Sequence, residues 1–373
     1  MGFKSLASFF SKSEEPKPLT FKSRVELFWL WYASAAERFY KAIEAGECSA
    51  LATEVNEKID ELLDGFAWVF GPGENGQGHS FTLTGEANRH RQLLAAYWKD
   101  RAPVIDGWTF YASRQPSPDV SRFQLDLENG LKFNPAELWI TVAVNEEDEA
   151  FDIHAWNPKF ADMQERHRFL VLFLLLDEAL GELGTQRWIR EIKISDAKLA
   201  HAMPLKELSS FVSEVSEKHG WKLLAPGESA TLYRHKSQHT RFPRGDILVG
   251  VTLQSDLIHD YLEADGQMED PLSGTGADYV YVTFPADFLP KGKEADARGK
   301  LEDALDEALT NASSGQILGG ATGTRFAYLD AIIYDGKNSE LIIRDTLRKL
   351  NLPKESVIRC FAKEKQDRTL SLR

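Results

Sequence analysis

The chain has 373 residues, 43% hydrophobic and 27% charged, with nine tryptophans and 22 phenylalanines, a globular profile long enough for about two domains and inconsistent with overall disorder. The net charge of −13 is concentrated, since residues 256–307 hold 14 acidic residues against four basic ones, and such a surface argues against nucleic-acid binding. Two cysteines far apart, Cys48 and Cys360, exclude a disulfide framework and a cysteine zinc site and suit a reducing, cytoplasmic setting; no secretory signal is visible, and the longest apolar run, Phe169 to Leu176, is too short to span a bilayer.

Residues 1–20 read as a flexible tail, because Ser11 to Pro18 (S-K-S-E-E-P-K-P) offers nothing to bury. Ser23 and Glu26 have capping-box spacing and open a helix whose apolar face carries Phe28, Trp31, Ala35 and Phe39. A second helix carries Leu51, Val55, Ile59, Leu62 and Leu63 and stops at Gly65. Residues 66–70 and 80–84 form a hairpin around the loop Gly71 to His79. A helix over 86–99 and a strand over 108–113 follow. Residues 138–144 and 151–156 make a second hairpin. The helix expected over 162–183 is apolar nearly all round at Phe169–Leu176 and should be central. Trp188 to Ile194 alternates as a strand, and Pro204 opens a helix ended by Gly220.

A boundary is expected at Pro226-Gly227, dividing an N-terminal α+β domain (21–225) from a C-terminal one (226–373). Beyond it come strands at 231–234 and 247–253, a short helix at 256–261 and a loop at 264–276. Next come a strand at 279–284, a helix striped by Leu301, Leu305 and Leu309, a strand at 326–334, a helix at 341–350 and a strand at 357–361. The fold class expected is α+β, two open, mostly antiparallel sheets with helices on one face, the C-terminal one ferredoxin-like. Leu-Asp-Glu-Ala-Leu occurs at 176–180 and again at 305–309, a pattern that either duplication or helix composition produces.

Chemistry-bearing motifs are sparse. Gly71-x-Gly73-x-x-Gly76 has dinucleotide-fingerprint spacing, but a strand follows where a phosphate-binding helix is required. Gly319-Gly320-Ala-Thr-Gly323 likewise precedes a strand and reads as a glycine-rich turn or bulged edge. Arg234, Lys236, Arg241 and Arg244, with His235 and His239, read as a solvated basic segment. His235 and His239 are spaced by four, which would suit a metal-binding helix face, but their segment reads as strand and loop with no third ligand near, and no serine or cysteine occupies a nucleophile elbow. Neither a metal, a cofactor nor a catalytic residue is expected. The candidate binding surface comprises His79, Glu86, His90 and Arg114, polar residues gathered beside paired strands.

The segments A-W-V-F-G-P-G, G-H-S-F-T-L-T-G-E, L-L-A-A-Y-W and D-G-W-T-F-Y-A-S-R-Q-P, within 67–116, resemble a family of uncharacterised bacterial proteins containing a domain of unknown function. The C-terminal G-G-A-T-G-T-R-F-A-Y-L-D and L-R-K-L-N-L-P are similar to small ferredoxin-like domains, distantly to the regulator that inhibits ribonuclease E. The resemblance carries no catalytic residue. The function expected is that of a cytoplasmic, non-catalytic binding or regulatory protein acting through protein–protein contact, with neither nucleic acid nor membrane as partner. The alternatives are a hydrolase or transferase using the His79 region, or a small-ligand sensor.

Overall fold

Residues 18–122, 125–126, 132–235 and 244–372 are described by the computed structural model. All but the last three residues of the expected tail, and the basic run from Lys236 to Arg241, lie outside them. Helix α1 (Phe21–Glu44) starts before the expected capping box. Its N-cap is Thr20, whose hydroxyl accepts from Ser23 N at 3.3 Å. Phe21, Val25, Phe28, Trp29, Tyr32, Ala36 and Phe39 recur at helical spacing and are all buried. Helix α2 (Ala52–Leu62) follows. Strands β1 (Ala67–Pro72) and β2 (His79–Thr84) pair antiparallel with Phe70 opposite Phe81. Helix α3 (Arg89–Lys99) then returns the chain to β3 (Trp108–Tyr111), parallel to β2.

The central part of the chain repeats this path. After the two-residue strands β4 (Leu125–Asp126) and β5 (Lys132–Phe133), β6 (Trp139–Asn145) and β7 (Ala150–Trp156) form a hairpin. Helices α4 (Glu165–Leu180) and α5 (Glu182–Trp188) lead to β8 (Ile189–Ile194), which lies parallel to β7. Strand β9 (Met203–Pro204) completes a sheet of order β8-β7-β6-β9, and α6 (Leu208–His219) packs on it. The single helix expected over 162–183 is broken at Gly181, whose φ of 74° ends α4 and starts α5. The run 169–176 is not wholly central either. Val171, Leu172, Leu175 and Leu176 are buried, whereas Leu170 and Phe173 face solvent.

The C-terminal part comprises β10 (Thr231–Arg234), β11 (Ile247–Thr252), α7 (Ser255–Glu263), β12 (Asp278–Pro285), α8 (Glu294–Asn311), β13 (Gly315–Gly323), β14 (Phe326–Ile333), α9 (Gly336–Lys349), β15 (Val357–Cys360) and β16 (Thr369–Ser371). Its seven strands run antiparallel in the order β10-β11-β13-β14-β12-β15-β16. Within them β12-α8-β13-β14-α9-β15 has the split β-α-β arrangement of a ferredoxin-like domain. The glycine-rich segment 315–323 is a correction to the sequence reading. It is an interior strand, bulged between Ile317 and Gly319, and neither a turn nor an edge. A side chain at Gly319 would strike the β11 backbone, and one at Gly320 would strike β14 and α8. The two copies of Leu-Asp-Glu-Ala-Leu do not share a topology. The strands flanking α4–α5 are adjacent, whereas those flanking α8 are separated by β14.

Alternation along β12 sends Val280, Val282 and Phe284 to the core under α8 and α9, and Tyr279 and Tyr281 to the opposite face. That second face is covered by α7 and by the N-terminal elements. The ring of Tyr97 of α3 lies 3.9 Å from that of Tyr334, tilted by 43°, and Phe21 lies 6.1 Å from the same ring. The segment 21–225 therefore contributes to two cores. One it shares with the C-terminal sheet; the other, built on Phe151, Leu172, Leu176 and Leu208, comes from the central part alone.

Candidate functional site

The four residues of the expected binding surface lie in three places. His79 opens β2, with Nε2 2.9 Å from Glu44 Oε1 and its ring 4.7 Å from that of Tyr40. Glu86 sits beyond the other end of β2, about 20 Å away along the strand at roughly 3.3 Å per residue, and forms an ion pair with Arg114. His90 is buried beneath α3. Its Nδ1 is 3.1 Å from the Tyr279 hydroxyl, and Nε2 is 3.6 Å from Asp260. Glu86 and Arg114 are thus brought together, while His79 and His90 are not. Among the described residues no group of three or more His, Cys, Asp or Glu side chains is placed to hold a metal ion.

His90 has a measurable consequence. Burial lowers its pKa from the ordinary 6.5, against the opposing pull of Asp260 and Asp256. The native protein therefore binds this proton at lower pH than the unfolded chain does. The stability contributed is complete above about pH 6.5 and is lost as pH falls below that value. In urea titrations, His90→Gln is expected to flatten the decline in stability between about pH 7 and about pH 5. An unchanged slope would assign the decline to other groups.

Glu86 and Arg114 adjoin a buried carboxylate that the sequence reading missed. Glu182, the first residue of α5, accepts hydrogen bonds from the Thr84 hydroxyl, from Ala87 N at 2.9 Å, from Gln92 Nε2 at 2.8 Å and from Arg114 N at 3.3 Å. Its own N–H donates to Arg114 O at 3.0 Å. One side chain thereby fixes the β2–α3 turn, where Glu86 and Ala87 adopt positive φ, to the central part of the chain. Burial raises the nearby Asp177 and Glu178 carboxyls, with Arg114 opposing. The available signal in the sequence was a Gly-Glu pair ending an apolar helix.

A second polar cluster lies within the C-terminal sheet. Arg244, read from its basic neighbours as solvated, is 1% exposed. Its guanidinium makes a bidentate pair with Asp330 and reaches the Tyr233 hydroxyl at 3.3 Å. The rings of Tyr281, Tyr328 and Phe361 surround it at 4.8–5.2 Å. Asp246 accepts from Arg325 N, Phe326 N and the Tyr328 hydroxyl. Nothing in the sequence distinguishes Arg244 from the other basic residues of its segment.

The acidic stretch is partly neutralised by the fold. Glu269 meets Lys363, Asp270 and Asp278 meet Lys365, and Asp278 also meets Arg368. Asp256 lies 3.6 Å from Arg89. The acidic residues left toward solvent include Asp296, Asp303 and Glu307 on the outer face of α8, with Lys300 among them. Beside α8, strands β10 and β11 carry an uncovered apolar strip. Thr322 receives a 2.8 Å bond from Arg298 of α8, so its cross-strand neighbour Val249 also faces the α8 side. Val251 and Leu232 share that side. Leu232 is 62% exposed and Val249 37%.

No helix among the described residues is long and apolar enough to cross a membrane. No family model matches the chain, nor does any curated protein or solved structure.

Proposed function

We propose that this chain is a cytoplasmic, non-catalytic binding or regulatory protein that acts through protein–protein contact at the strip formed by Leu232, Val249 and Val251. The exposure of Leu232 and Val249, in one row with the half-buried Val251 beside α8, carries the reading. Single exposed apolar residues are normal on protein surfaces, but a contiguous row marks an interaction site. Seven strands at about 4.8 Å spacing make a sheet roughly 29 Å wide, and two helices about 10 Å apart leave space for one more. Glu302 of α8 reaches toward that space beside Gly320, the cross-strand neighbour of Val251, while Asp296, Asp303 and Glu307 add negative charge on the outer face of the helix and Arg234 lies on β10. The partner that fits is an amphipathic helix with a narrow apolar stripe and a basic flank, attracted by the complementary field.

The test is capture from host lysate by the wild-type chain and by Leu232→Asp/Val249→Asp. The wild type should retain a reproducible partner that the variant loses and that elutes as salt screens the charges. Equal capture by both chains, or none by either, would end this reading. The free cysteines, Cys48 and Cys360, are compatible with the reducing compartment proposed.

A further inference from the structure

We infer a binding site for a small organic carboxylate at the β13–β14 end of the seven-stranded sheet, distinct from the strip beside α8. A cavity of about 340 Å³ lies there, floored by β12, β14 and β15 and walled by the 244–246 segment. That volume is in the range of about 300–1,000 Å³ typical of small-molecule sites. Thr283, Tyr328 and Val357 are cross-strand neighbours and present the same face to it. Phe326 and Pro285 complete an apolar floor.

Two guanidiniums without an ion-pair partner among the described residues, those of Arg325 and Arg359, and one unpaired hydroxyl line this cavity, the Arg325 guanidinium 5.6 Å from the Phe326 ring. The Thr283 hydroxyl is buried without a hydrogen-bond partner. A buried polar atom is normally paired, so an unpaired one beside an open cavity marks a place where a ligand atom fits. The neighbouring charges do not already fill that role. Arg244 is held by Asp330. Both Asp246 oxygens accept from the β13–β14 turn and from Tyr328. Glu355, the remaining acid of the lining, is exposed at the mouth. Two free guanidiniums recognise carboxylates through paired N–H donors, and the hydroxyl supplies a further donor. The rings of Phe326 and Tyr328, with Pro285 and Val357, require that the ligand also have an apolar body. The ligand class is therefore a small carboxylate carrying an aromatic or branched apolar group.

The test is isothermal titration calorimetry of the full chain with 3-phenylpropionate and with its uncharged analogue 3-phenylpropanamide. The acid should bind saturably and the amide about tenfold more weakly or less, because the amide cannot form charge-assisted bonds. Arg325→Ala and Arg359→Ala should each weaken the acid by about tenfold, and Thr283→Val by a smaller factor. Thermal melting identifies any variant that has not folded, and the comparison of acid with amide needs no variant. Equal affinity for acid and amide, acid binding unaltered in both folded arginine variants, or no saturable binding of the acid would each overturn the assignment.

Discussion

Replacing Asp330 by alanine is expected to destabilise the protein by about 3–5 kcal/mol, because it leaves a buried guanidinium without its counter-charge. Arg244 is enclosed by the sheet and by the rings of Tyr281, Tyr328 and Phe361. With only 1% of Arg244 exposed, the cavity it borders admits too little water to replace the carboxylate. Such a loss is a large share of the roughly 5–15 kcal/mol that stabilises an ordinary domain. Urea denaturation followed by circular dichroism measures it. The double variant Arg244→Met/Asp330→Leu should be more stable than Asp330→Ala, since it removes both charges and keeps the volume. A single variant within about 1 kcal/mol of wild type would mean that Arg244 finds another partner.

The second large effect is expected at Glu182. Glu182→Ala removes the acceptor for two backbone N–H groups, one hydroxyl and one amide. Buried donors left unsatisfied cost about 1–3 kcal/mol each, and partial access to water brings the expected total to about 3 kcal/mol. The loss should be local. Hydrogen exchange should accelerate at Ala87 and Arg114, whose N–H groups lose their acceptor, and less in β12 or β14. Glu182→Gln keeps one acceptor oxygen and should recover part of the stability. Uniform acceleration across the sheet would show that Glu182 acts on global stability and not on the turn it binds.

The residues that were legible in sequence are those whose local pattern and tertiary role agree. The apolar face of α1, the hairpin across Gly71–Gly78 and the β12-α8 and β14-α9 alternation follow from period and turn chemistry alone. Strand β13 was hidden because its glycines read as punctuation, whereas they serve the close approach of β11, β14 and α8. The break at Gly181 was hidden within an otherwise continuous helical stripe. For the site, Glu86 and Arg114 were correctly associated because they flank paired strands. His79 and His90 do not join them although the strands pair, because His79 lies at the opposite end of β2 beside Glu44 and His90 points from α3 to Tyr279. Arg244 was beyond reach, since its partner Asp330 lies 86 residues on and the surrounding charges suggest solvent.

The shared core of α1, α3 and the C-terminal sheet has a consequence for synthesis. Phe21 packs against Tyr334, a residue made about 300 positions later, which is roughly 15–60 s at a rate of about 5–20 residues per second. During that interval Phe21 and Tyr97 have emerged without Tyr334, whereas Phe28, Trp29 and Tyr32 already have Phe81, Trp98 and Phe110 to pack against. The central part, whose core needs no later residue than Val212 among its fully buried members, can close first. The C-terminal side of the shared core is therefore the last to close on the ribosome, and Phe21 and Tyr97 are the side chains left waiting for it.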